Sequence, residues 1–256
     1  MKLSEYAEAV AYDAAFWLSA FTNPDYPVDE LGDVCVATCG KLRTLAIIAL
    51  VAEGKHRSFT HNLVRSGRCR LSYLQRVQAS GAPDHHDASS RLAPFLDAVA
   101  AADFGLARQI AALSPAQWRQ GHEYEDDFCH AQLAHAVLAP VTDLARTDAL
   151  LERWERVLDG AADARLPVMR ALVHRDKAGF DPAFEALVQA RDDALAAERE
   201  RARIEEFDVI AQRQLFVDGL ALLRMATQLG LGTQAEYRGC PSLARAVTLE
   251  TLPPEW

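Results

Sequence analysis

Residues 33–53 read DVCVATCGKLRTLAIIALVAE, and this stretch decides the fold class. Leu42, Leu45, Ala46, Ile47, Ile48, Ala49 and Leu50 leave almost no polar face over its second half, and Gly54 follows as a stop. A helix that is apolar on most sides has to be buried on several sides, so other helices must surround it. The flanking sequence supplies them. Ala7, Val10, Ala14, Trp17, Leu18 and Phe21 recur at three- and four-residue steps, and Asn23-Pro24 closes that helix before an expected loop over Pro24 to Gly32. On the other side, Phe59, Leu63, Leu71 and Leu74 give Lys55 to Val77 an inward face, and Gly81 to Asp87 reads as an exposed loop.

The same periodicity predicts helices over Ser90 to Ala102, Leu106 to Leu113, Phe128 to Leu138, Thr142 to Leu158 and Ala164 to Arg175. Ser114-Pro115 reads as a cap with a first-turn proline, and Asp181-Pro182 as the start of a helix running to about Ile204. Its end and the next residues, Glu198 to Asp208, carry mixed charge and read as a solvated helical face. Val209 to Leu229 is the strongest core candidate. Gly219 in its middle costs about 1 kcal/mol against Ala, which points to a close helix–helix approach there. The tail from Thr233 to Trp256 holds three prolines and reads as irregular chain over the bundle. The expected fold is all-α: a single-domain, multi-helix bundle of antiparallel helices over residues 1–256 with an irregular C-terminal tail.

Composition agrees. The chain has 256 residues, with 46 Ala and 32 Leu against only 5 Ile, a balance that favours helix over strand. Half the residues are hydrophobic, which excludes a disordered chain, and the net charge of −9 argues against a nucleic-acid partner. Glu5, Glu8 and Asp13 interrupt the apolar N-terminus, and the longest apolar run, Leu45 to Ala52, is far shorter than the roughly 20 residues of a membrane span. Five cysteines without CxxC spacing suit reduced, buried thiols. A cytoplasmic protein with no membrane partner is expected.

Candidate chemistry is sparse. His122, Glu123, Asp126, Asp127, Cys129, His130 and His135 fall within fourteen residues, but a helical metal centre needs matched ligands from facing helices. The Glu-x-x-His spacing occurs at Glu53 to His56, broken by Gly54. Gly-x-Ser-x-Gly, phosphate-loop and dinucleotide-loop motifs are absent. No cofactor, metal or catalytic residue is assigned. Charge is more informative. Lys55, Arg57, Arg65, Arg68, Arg70 and Arg76 form a basic stripe without an acid, read as neutralising the protein's own acidic excess, with a docking stripe for an acidic partner or a phosphate backbone as the alternative. Glu123-Tyr124-Glu125-Asp126-Asp127 places four acids in five positions. Interaction with a helix dipole accounts for one or two of them; the alternative is an anionic site for a basic partner.

That acidic stretch and Phe128, the Arg175-Asp176 pair, the helix FVDGLALL at 216–223, Gly230, Tyr237 and CPSLAR at 240–245 together resemble the immunity protein 49 family. The resemblance is strongest over residues 115–246; the N-terminal part shares helical character alone. It implies a non-enzymatic immunity protein of bacterial polymorphic-toxin or type VI secretion systems, which binds and neutralises a cognate, basic protein toxin. Of the matching elements, Glu123, Tyr124, Glu125, Asp126 and Asp127 read as partner-facing, and the buried helix and tail as scaffold. Two other readings are a metal-dependent helical enzyme using His122, Asp127 and His130, and a helical adaptor or chaperone with a peptide groove.

Overall fold

The computed structural model describes residues 3–82, 84–201 and 207–246. Among them all regular structure is helical. A short 3-10 turn leads into α1 (Ala7–Thr22), followed by α2 (Val28–Val51) and α3 (His56–Ser80). The latter two form a long antiparallel hairpin, turned at Gly54 in the left-handed region (φ 64°). Then come α4 (Ala93–Ala100), α5 (Phe104–Leu113), α6 (Glu125–Val137), α7 (Leu144–Leu158), α8 (Arg165–His174), α9 (Lys177–Arg201), α10 (Phe207–Gln214) and α11 (Val217–Gln228). One continuous core links α1 through α11. By length and composition α2 could cross a membrane, but two thirds of its apolar window is buried in the protein, where it packs against α1, α3 and α10.

Several local expectations give way to tertiary partners. The loop expected over Pro24 to Gly32 is shorter, because extended Pro27 caps α2 and Asp29 and Glu30 occupy its first turn. Ser114 ends α5, its hydroxyl donating to the Ile110 carbonyl, and no helix follows Pro115 until Glu125. Helix α6 accordingly starts three residues before the expected Phe128. Asp181-Pro182 lies inside α9. Asp176 is the true cap, its carboxylate accepting from the Ala178 and Gly179 amides at 3.0 Å each. Asp181 instead accepts from the Tyr237 hydroxyl. The expected end of α9 near Ile204, and residues 202–206 of the mixed-charge run, lie outside the described residues.

The core segment Val209 to Leu229 is two helices rather than one. Phe216 turns its amide to the Gly239 carbonyl at 2.7 Å, and the Gln212 carbonyl accepts from Arg191. The Arg191 guanidinium also stacks 4.8 Å from the Phe216 ring centroid. Gly219 is therefore small for a different reason than expected: a Cβ there would lie 2.4 Å from the Phe216 ring and 2.8 Å from the Cys240 sulfur. The tail over 233–246 is pinned by these contacts and ends in a 3-10 turn, Ser242–Arg245, with Arg245 donating to the Gln234 and Ala235 carbonyls. Residues 247–256 of the expected irregular tail lie outside the described residues. All five cysteines are free and buried.

The single arginine within the apolar sequence of α2 ties the layers together. Arg43 Nε donates to Asp97 of α4 at 2.7 Å, one terminal nitrogen pairs with Asp218 of α11 at 2.8 Å, and the other donates to the Ala93 carbonyl at 2.8 Å. Ser66 of α3 donates to the second Asp97 oxygen at 2.6 Å. Asp97 is 1% exposed. Burial pushes its carboxyl up to about 6 although Arg43 and Ser66 pull the other way.

Removing one member of a buried charge pair strands the other, so Asp97→Ala is expected to destabilise the fold by about 3–5 kcal/mol. Asp218 is the more exposed partner of Arg43. Asp218→Ala should cost roughly 1 kcal/mol or less. Urea unfolding of both variants checks the order, and equal losses would contradict it.

Candidate partner-binding site

The acidic stretch sits where a structured loop enters α6. Residues 114–124 run without helix but are held at many points. Gln132 donates to the Pro115 carbonyl at 3.0 Å, the Trp118 indole to the Glu123 carbonyl at 3.2 Å, and Arg119 to the Asp87 carboxylate. The Glu123 carboxylate is held by different partners from the other acids. It accepts from the Ser90 amide at 2.9 Å and from the Ser89 hydroxyl at 3.4 Å, joining this loop to the segment that leads into α4.

Glu125, Asp126 and Asp127 form the first turn of α6, where the helix dipole favours them. Two arginines from neighbouring helices do the rest. Arg153 of α7 bonds Glu125 at 2.6 Å while lying over the Trp118 and Phe128 rings at 5.5 and 5.3 Å. Arg165 of α8 bonds Asp127 at 2.7 Å and Asp163 at 2.7 Å, lies 3.6 Å from Asp126, and stacks 5.5 Å from the Trp154 ring. The repulsion implicit in the sequence is thus offset inside the molecule.

Tyr124 is the exception. It is the residue before α6, and its side chain stands 79% exposed. Tyr124, Glu123, Glu125 and Asp127 line a cleft of about 720 Å³ whose other walls include Trp118, His122 and Arg91. Asp126 is not part of its lining. Sequence reading identified the acids and the tyrosine. It missed Arg153, Arg165 and the Ser89-Ser90 turn, because each arrives from a separate element, and it missed Trp118, which lies in the same loop but carries no charge to draw attention.

The other sequence candidates separate. His130 packs on Trp154 at 5.5 Å and His135 on Phe95 at 4.7 Å. Burial pushes His130 down to about 4 and His135 down to about 3, and pushes the Cys129 thiol up to about 11. Among the described residues, His122, Asp127 and His130 are not gathered into a three-ligand group. Two residues of the basic stripe are spent on backbone. Buried Arg70 donates to the carbonyls of His86, Asp87 and Ala88, and Arg76 to those of Phe21 and Asn23 at the end of α1. These arginines cap loops and a helix end rather than neutralise the acidic excess; Lys55 does pair with an acid, Glu53, at 3.0 Å.

A family model for Immunity protein 49 matches residues 37–242. The match reaches well before residue 115, so the N-terminal hairpin carries family character beyond helicity. No curated protein and no solved structure matches the chain.

Arg165→Gln removes all three ion pairs, to Asp126, Asp127 and Asp163, and the stacking on Trp154, and should lower stability by roughly 1–2 kcal/mol. Tyr124→Ala, at an exposed position, should change it by less than about 0.5 kcal/mol. Thermal melts distinguish the two. His130 and His135 are neutral in the fold and take protons near pH 6.5 once unfolded. Their contribution to stability is therefore complete above about pH 6.5 and is lost as pH falls through 4 and then 3. An NMR titration should find both imidazoles neutral at pH 5; a midpoint near 6.5 for either contradicts the burial argument.

Proposed function

The chain belongs to the Immunity protein 49 family, and from that membership we propose that it binds a cognate protein toxin in the cytosol and neutralises it by occlusion. The contact is centred on Tyr124 and the cleft beside it, with Glu123, Glu125 and Asp127 on the cleft and Asp126 adding its charge from the same turn outside it. The observation that carries this reading is the contrast within one turn: the acids are braced by Arg153 and Arg165, while an aromatic side chain beside them is left in solvent. A rigid, exposed tyrosine with an amphipathic ring is a favoured anchor, since it contributes contact area at low entropic cost. A net charge of −9 steers a basic partner toward the molecule and raises the rate of encounter. In this reading the protein performs no chemistry. It works by stoichiometric binding.

Because Glu125, Asp126 and Asp127 also hold α6 to α7 and α8, reversing their charge would mix recognition with stability. Tyr124→Ala separates them. With the cognate toxin, identified by pull-down with this chain, as the binding partner, Tyr124→Ala is expected to weaken the complex at least tenfold and to reduce protection in a growth assay, while circular dichroism stays unchanged. Full affinity in a folded Tyr124→Ala protein places the contact elsewhere.

A further inference from the structure

Away from the acidic turn, the segment joining α3 to α4 brings two imidazoles and a carboxylate together. Residues expected to form an exposed loop instead make a 3-10 turn, His85–Asp87, with His86 and Asp87 buried. Asp84, His85 and His86 each offer one ligand atom, and these atoms all lie within 4.8 Å of one another. His85 Nδ1 is 2.8 Å from Asp84 Oδ1. The rest of the cluster has the supports that a metal-binding group ordinarily has. Tyr73 donates its hydroxyl to the other Asp84 oxygen at 2.9 Å, and His86 Nε2 lies 3.2 Å from the Asp33 carboxylate at the start of α2. A carboxylate on one nitrogen of a ligating histidine fixes its tautomer and orientation and leaves the other free to bind. The other nitrogen, His86 Nδ1, is buried without a hydrogen-bond partner. A buried acceptor left unpaired costs free energy unless something occupies it.

The backbone carrying these side chains is fixed from several directions. Arg70 binds the carbonyls of His86, Asp87 and Ala88 at 2.5, 2.9 and 2.9 Å, and Arg119 binds the Asp84 carbonyl at 3.2 Å. Gly32 lets α2 approach: a Cβ there would sit 2.4 Å from the His86 ring and 2.5 Å from the Asp84 carboxylate. The segment is thus built around the cluster.

We propose that Asp84, His85 and His86 form a binding site for a borderline divalent cation of the zinc class, with Tyr73 and Asp33 as positioning residues. Two imidazoles and one carboxylate suit Zn²⁺, Co²⁺, Ni²⁺ or Cu²⁺ rather than Ca²⁺ or Mg²⁺, which prefer all-oxygen sets. Three protein ligands leave a coordination position for water. Exposed His85 provides the entry path. The site is independent of the toxin-binding reading.

The test uses the full chain with affinity tags removed and metal stripped by chelator. Calorimetric titration with ZnCl₂ should give one saturable equivalent, and Co²⁺ should produce visible ligand-field absorption. His85→Ala, at an exposed position, should weaken Zn²⁺ binding at least tenfold and abolish the Co²⁺ bands while leaving the fold intact. Tyr73→Phe keeps the ring and removes the hydroxyl, and should weaken binding by about tenfold. Absence of a saturable equivalent in the unmodified chain overturns the proposal. So does binding that His85→Ala leaves unchanged, which would place the ion on other histidines.

Discussion

The fold depends on satisfying one positive charge inside an apolar helix. Arg43 enters the core with α2, and a buried guanidinium is tolerable only if it is paired and fully hydrogen-bonded. Asp97, Asp218 and the Ala93 carbonyl meet it, and Ser66 completes Asp97. Because these groups come from α2, α3, α4 and α11, satisfying the charge fixes how four helices sit relative to one another. Apolar burial stabilises the bundle but is indifferent to register. The ion-pair network is directional, and it specifies which turns face each other.

The same rule operates where loops join the bundle. Loops that would otherwise leave carbonyls unsatisfied are closed by arginines from distant elements: Arg70 over 86–88, Arg76 at the end of α1, Arg191 at the break between α10 and α11. Arg153 and Arg165 apply it to carboxylates and brace the first turn of α6. The result is a pre-formed acidic turn with one exposed aromatic. Such a surface would lose little entropy in the binding proposed for it.

How legible this was varied with the range of the interaction. The helices α1, α3, α5, α7 and α8 follow from spacing, since each buries one stripe that the sequence displays. Boundaries failed where a side chain had two possible uses. Asp181 looked like a cap and serves Tyr237; Asp176, directly after the expected helix end at Arg175, does the capping. Gly219 announced a close approach correctly but not its object, because Phe216 and Cys240 meet there only once the tail has folded back. At the candidate site, Glu123 to Asp127 stood out as unexplained charge density. Its explanation, Arg153 and Arg165, lies 28 and 38 residues away in the chain.

By itself the sequence determined the class of fold, the reduced and buried cysteines, and the location of the one acidic turn that any functional reading has to explain. These are consequences of composition and local period, which act within a few turns of chain. Tertiary structure alone decided that the acids are braced while Tyr124 is free, that Arg70 and Arg76 of the basic stripe hold backbone carbonyls, and that Asp84, His85 and His86 converge beside Asp33. Each of these depends on which distant group satisfies a given charge or hydrogen bond, and that choice is made only when the helices pack.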